Sequence, residues 1–185
     1  MARCVLGLVG VLASMGCVTV PGVGSELRPD FDAVPEQALR QVALEIEQAV
    51  LAADEDYVPQ DRDGLMLDTE LIRQTVRTRA LRGERVNELR DTPWVYEQRS
   101  GVLALQRGRD YRNETTREQR RQYAALVYRE NDSRWTLYEA IREANDLGSR
   151  GYDAIRLAFF EARVEAMPAG QLYEGPDGEL RRTGE

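Results

Sequence analysis

A mainly α-helical fold of about four helices with a small C-terminal β-hairpin is predicted by three features of the sequence. Apolar residues recur every three or four positions over four long segments, capping residues precede several of them, and a stretch punctuated by Gly and Pro follows the last. Over residues 36–53, Leu39, Val42, Ala43, Ile46, Ala49 and Val50 fall on one helical face, and Asp54, Glu55, Asp56 and Pro59 stop the helix. A second helix is expected to start after Asp68 or Thr69, whose side chains can accept from a first-turn amide. It carries Leu71, Ile72, Val76 and Leu81 and is expected to end before Gly83. Residues 84–113 are mixed, with Trp94-Val95-Tyr96 and Gly101–Leu105 reading as short extended pieces within 94–105.

The longest helix is expected from about Thr116 to Asn145. Its stripe is Tyr123, Val127, Asn131, Arg134 or Trp135, Tyr138 and Ile141, and Thr115 or Thr116 with Glu118 or Gln119 can form a capping box at its start. A last helix, capped by Asp153, presents Ile155, Phe159, Phe160 and Ala162 or Val164 and ends at Pro168. Residues 170–174 and 179–182 then flank a turn made by Gly175, Pro176, Asp177 and Gly178, the layout of a two-stranded hairpin.

The first sixteen residues, MARCVLGLVGVLASMG, place Arg3 before an apolar run from Val5 to Leu12 and then small residues, as a secretory signal does. That run is too short to cross a bilayer, which takes roughly 20 apolar residues. Ser14-Met15-Gly16-Cys17 then fits lipoprotein processing, with Cys17 as the lipidated residue, although Ser14 stands where such sites usually carry Leu. Cys4 would leave with the signal, so Cys17 would be the sole thiol and no disulfide could form. Val18 rather than Asp after it resembles the pattern that sends lipoproteins to the periplasmic face of the outer membrane. Pro21, Gly22, Gly24, Pro29 and Pro35 make residues 17–35 read as a flexible tether, with a single domain over 36–185.

The formal net charge is −7, and all 25 basic residues are Arg. An acidic body argues against a nucleic-acid partner and against a polybasic grip on anionic lipid, leaving the N-terminal lipid as the only expected membrane attachment. The chain has no His. With no imidazole and no thiol beyond Cys17, the usual zinc, copper and haem sites and His-based relays lack their residues, so neither a cofactor nor an enzymatic activity is expected.

Three constellations have the residue types of chemistry. Asp61, Asp63, Gly64 and Glu70 occupy positions of a calcium-binding EF-hand loop, but Pro59 takes the place of its first ligand, so the segment reads as an acidic linker. The Arg-rich segment Arg107–Arg134 has the fork groups that hold phosphate, but its acids interleave at helical spacing, so surface ion pairs are expected. Glu130 and Asn131 with Arg134 and Tyr138 put polar groups on or beside a buried stripe, and a hydrogen-bonded network that fixes helix register is the expected role.

The segment from Val127 to Ile141, with Glu130-Asn131, Arg134 and Tyr138 at their spacings, followed by Met167-Pro168-Ala169-Gly170 and the Gly178 turn, resembles the YdbL-like family of small bacterial envelope proteins of unknown function. The resemblance covers about residues 70–182 and is fainter from Arg79 to Leu105. Leu180 replaces an expected Trp, and residues 54–68 have no counterpart. It implies that Glu130, Asn131, Arg134, Tyr138, Pro168 and Gly170 are a structural or partner-binding signature. It also implies a periplasmic or lipid-anchored protein, in some members linked to AsmA-like proteins that move phospholipid between membranes. Together these readings give a non-enzymatic accessory or chaperone-like lipoprotein whose partner is another envelope protein, engaged by an exposed helix or by the hairpin edge. The rival is a lipid or small-molecule binder in which Trp135, Tyr138, Phe159 and Phe160 line a pocket, residues that at helical spacing also read as core.

Overall fold

The computed structural model describes residues 34–184. Cys17, the leader and all of the tether except Val34 and Pro35 lie outside these residues. The chain forms α1 (Glu36–Leu51), α2 (Glu70–Arg90), β1 (Val95–Glu97), β2 (Leu103–Leu105), α3 (Arg109–Glu114), α4 (Arg117–Ala144), α5 (Ser149–Ala166), β3 (Leu172–Glu174) and β4 (Leu180–Arg182). The architecture is mainly helical with a small sheet, as expected, with α3 an additional short helix. Val34 is only 4% exposed and joins the core, so the body begins inside the segment read as tether.

The four long helices close a ring in which α1 neighbours α2 and α5, and α4 also neighbours α2 and α5. The sheet order is β2-β1-β3-β4. The extended pieces at 94–105 and the terminal hairpin, read separately from sequence, form one mixed sheet through the parallel pairing of β1 with β3, in which Tyr96 faces Leu172. Two apolar clusters result. The larger unites Leu39, Ile46, Ile72, Leu137, Ile141 and Phe159 with their neighbours inside the ring, and the smaller joins Val86, Leu89 and Val127 to Val95 and Leu103 of the sheet.

Local signals set several boundaries as expected. Thr69 caps α2 by accepting from the Ile72 amide. At α4, Thr116 accepts from the Gln119 amide at 3.1 Å, and the Gln119 side chain accepts from the Thr116 amide at 2.8 Å. Thr116→Ala removes one half of this box, and we expect a loss of about 1 kcal/mol in urea denaturation monitored by circular dichroism.

Tertiary packing moved other boundaries. α2 does not end at Gly83 but continues to Arg90. Gly83 lies where α1 crosses, and a Cβ there would sit 2.0 Å from the Val50 carbonyl oxygen. The glycine is thus a contact point within a helix and not a terminus. α5 begins at Ser149, with Asp153 already inside it and paired with Arg156 at 3.2 Å. Ahead of its N-cap Gly148, buried Leu147 packs against Gly151 so closely that a Cβ there would lie 2.9 Å from the leucine Cβ. Leu71 and Leu81, placed on the buried stripe of α2 by the sequence, are 48% and 60% exposed. Arg79, fully buried, takes a place in that stripe instead.

Candidate functional site

Between the two apolar clusters lies a layer of buried charge. On α2, Ile72 and Val76 belong to one cluster and Val86 and Leu89 to the other, with Arg79 between them. On α4, Val127 precedes and Leu137 follows Glu130 and Arg134. Glu47 arrives from α1, Arg90 from the end of α2, Glu97 from β1 and Arg163 from α5. Five elements therefore meet through charged groups at one level.

The pairing is reciprocal. Arg79 forks onto both carboxylate oxygens of Glu47 at 3.0 and 2.9 Å, and its Nε donates to Glu130 Oε1 at 3.0 Å. Arg134 donates to the same Glu130 oxygen at 2.9 Å and forks onto Glu97 at 2.7 and 2.9 Å. Arg163 joins the two halves, donating to Glu97 Oε2 at 3.1 Å and Glu47 Oε1 at 3.0 Å. Arg90 adds a bond to Glu97 Oε1 at 2.9 Å. Bidentate guanidinium–carboxylate geometry is the strongest form of such a bond, and burial makes each orientation unforgiving.

The turn between β1 and β2 is built into the same layer. Gly101 adopts φ +87°, a left-handed conformation suited to glycine, and its carbonyl accepts from Tyr138 Oη at 3.1 Å and from Arg163 Nη2 at 3.1 Å. Tyr138 Oη also receives a bond from Arg163 Nη1 at 2.9 Å. Asn131 stands beside the layer and not within it. Its side-chain amide accepts from the Leu103 amide at 2.8 Å and donates to the Leu103 carbonyl at 2.9 Å, clamping β2 to α4.

The sequence signature is thus divided by the structure. Glu130, Arg134 and Tyr138 come together in the layer, Asn131 holds the strand next to it, and Pro168 and Gly170 serve the sheet. Gly170, at φ +93°, donates to the Thr183 carbonyl at 2.8 Å, while the Pro168 carbonyl accepts from the Thr183 hydroxyl. Glu47, Arg79, Arg90, Glu97 and Arg163 were not singled out by sequence reasoning. A signal was present. Glu47 follows Ala43 and precedes Val50 on the buried face of α1, Arg79 follows Val76, and Glu97 repeats the inward position of Val95. Charged residues at such positions in several elements imply mutual pairing, since isolated burial of a charge is prohibitive.

The other sequence constellations have local roles. Asp61 accepts from the amides of Leu67 and Asp68 at 2.6 and 2.8 Å, and these bonds hold its carboxyl below the usual range. Asp63 and Gly64 form a left-handed turn, and Glu70 pairs with Arg73 at 3.0 Å. Among the described residues, no group of three or more His, Cys, Asp or Glu is placed to hold a metal ion. In the Arg107–Arg134 segment, Arg120 caps the carbonyls of Arg112 and Thr115, while Arg134 enters the core. Of the four aromatics, Tyr138 and Phe159 pack ring to ring at 5.3 Å in the core and Phe160 is buried. Trp135 is 38% exposed and stacks on Tyr152.

Burial works against the charge of each glutamate in the layer, and the arginines overcome it. Arg79 and Arg134 bring the Glu130 carboxyl down to about 2, Arg79 and Arg163 lower Glu47, and Arg134, Arg90 and Arg163 hold Glu97 well below the usual range. A carboxylate with a lowered folded pKa stabilises the fold above its unfolded pKa, and that contribution is lost as the pH falls through the folded value. We therefore expect stability to decline between pH 4.5, the ordinary value for Glu130, and about 2, by about 3 kcal/mol for Glu130 alone. Urea midpoints measured over that pH range check the slope.

No protein-family model matches the chain, and no curated protein and no solved structure does. The resemblance to the YdbL-like family rests on the residues quoted for it. Among the described residues, no helix is long and apolar enough to cross a membrane.

Proposed function

We propose that this chain is a non-enzymatic accessory protein of the bacterial envelope, anchored through Cys17 at the periplasmic face of the outer membrane and acting on another envelope protein. The burial of the ion layer supports the non-enzymatic part of the reading, and the Ser14–Cys17 pattern supports the anchor. Glu47, Glu97 and Glu130 are 3%, 0% and 1% exposed, and each is engaged by two or more arginines. Such carboxylates have neither the access nor the proton affinity for acid–base work at neutral pH, and their physical effect is to lock four helices to a sheet.

A rigid body of this kind offers its outer faces to partners. The edge strand β4 is exposed at Leu180, Arg181 and Arg182 and pairs only with β3 among the described residues, which suits addition of a partner strand. The resemblance to the YdbL-like family supports an AsmA-like intermembrane lipid-transport system as the setting. Photocrosslinking in intact cells, with the probe at Arg181 of the full chain and a control probe at Gln37 on α1, tests the reading. Capture of one defined envelope protein from Arg181 alone, lost when Cys17→Ala releases the anchor, is the expected result. Absence of any protein adduct at Arg181 overturns it.

A further inference from the structure

Outside the ion layer, α2 and α4 border an open groove of about 560 Å³, within the range that small ligands occupy. Its floor is apolar, formed by Leu89, Leu126 and Ala125, and two of these belong to or pack on the smaller hydrophobic cluster. Its walls are cationic. Arg82, Arg85 and Arg129 line it against a single acid, Glu88, in a chain whose formal net charge is −7. The local sign of charge is therefore opposite to that of the whole molecule.

Arg85 and Arg129 differ from the arginines of the layer in what they lack. The exposed side chains of Arg85 and Arg129 have no hydrogen bond or ion pair among the described residues. Arg82 is tied to the layer, with Nη2 3.6 Å from Glu130 Oε2 and donating to Ser133 Oγ at 2.6 Å and to the Arg129 carbonyl at 3.3 Å, while its Nε is buried and has no acceptor. A buried donor without an acceptor is costly and uncommon. The guanidinium forks of Arg85 and Arg129 are exposed in the groove, and such forks are suited to phosphate and carboxylate oxygens. Tyr123, Gln122 and Thr92 add polar groups to the rim.

We propose that the α2–α4 groove binds an anionic amphiphile. Its phosphate or carboxylate is held by Arg85 and Arg129 beside Arg82, while its apolar part lies on Leu89 and Leu126. The same contacts suit a phospholipid headgroup or a soluble phosphate, and the chain length that contributes to affinity separates the two. This site is distinct from the β4 edge, so the two proposals stand or fall separately.

Isothermal titration of the full chain with octyl phosphate, inorganic phosphate and octyl glucoside tests it. Octyl phosphate should bind at least ten-fold more tightly than either of the others. The double substitution Arg85→Gln/Arg129→Gln should weaken it at least ten-fold, whereas Arg77→Gln/Arg117→Gln, an equal change of charge elsewhere on α2 and α4, should not. In a ¹⁵N spectrum the Arg82 Nε resonance should shift on titration, in wild type and not in the double variant at the same ligand concentration. Equal affinity for inorganic phosphate assigns the groove to a free anion and overturns the amphiphile. Equal affinity for octyl glucoside, equal losses in both double variants or no binding by any probe overturns the anion site itself.

Discussion

Glu97→Gln is expected to lower the stability of the folded protein by about 3–5 kcal/mol, because it keeps the shape of the side chain while removing the charge that neutralises buried arginines. Glu97 is fully buried and receives bonds from Arg90, Arg134 and Arg163 at 2.7–3.1 Å. The layer holds these three and Arg79, with part-buried Arg82 3.6 Å from Glu130, against Glu47, Glu97 and Glu130, so cations are already in excess and loss of a carboxylate deepens the imbalance. Urea denaturation at pH 7 followed by far-ultraviolet circular dichroism measures the change. A loss below about 1 kcal/mol would mean that the layer is wetter or softer than its geometry indicates. Glu139→Gln is the internal comparison: that carboxylate pairs with Arg142 at 2.6 Å on the surface, and its removal should leave the curve unmoved. Adding Arg90→Leu to Glu97→Gln should cost less than the two single changes together, since the arginine has by then lost its counter-ion.

Gly83→Ala should destabilise the protein by about 3 kcal/mol, against an intrinsic helix preference that favours alanine by about 1 kcal/mol. The added methyl would lie 2.0 Å from the Val50 carbonyl oxygen and 3.2 Å from its carbon, both backbone atoms that cannot rotate away. Relief requires α1 and α2 to separate, and their separation would stretch the Glu47–Arg79 fork that links them at 2.9–3.0 Å. Gly108→Ala, where nothing lies within 4 Å of the new atom, should be close to neutral. Thermal melts of the two variants give the comparison, and equal melting temperatures would show that the helix crossing yields more readily than backbone contact allows.

Glu97 and Gly83 serve one design from different sides. The ion layer aligns α1, α2, α4, α5 and the sheet in register, because each fork accepts its partner in a single orientation. Gly83 sets the distance at which α1 and α2 can offer their members of that layer. Sequence reasoning reached part of this arrangement from α4, where Glu130, Arg134 and Tyr138 stand at helical spacing beside Val127 and Ile141. It did not reach the complementary charges: Glu47 lies 32 and 116 residues from Arg79 and Arg163, and Glu97 lies 37 and 66 residues from Arg134 and Arg163, so their inward positions mark burial without naming the partner.

What the sequence determined alone is whatever rests on contacts between near neighbours. Apolar periodicity located the long helices, Thr69 and Thr116 began α2 and α4, and Gly178 at φ +81° turned the terminal hairpin where the residue pattern placed it. Only the tertiary structure decided whether Arg134 or Trp135 faces inward, whether Gly83 ends a helix or admits a neighbour, and whether the 94–105 ribbon joins the hairpin. Each of those outcomes depends on a partner remote in sequence. Arg134 is buried because Glu97 and Glu130 receive it, Gly83 because Val50 crosses there, and β1 pairs with β3 because the intervening helices bring the two strands side by side.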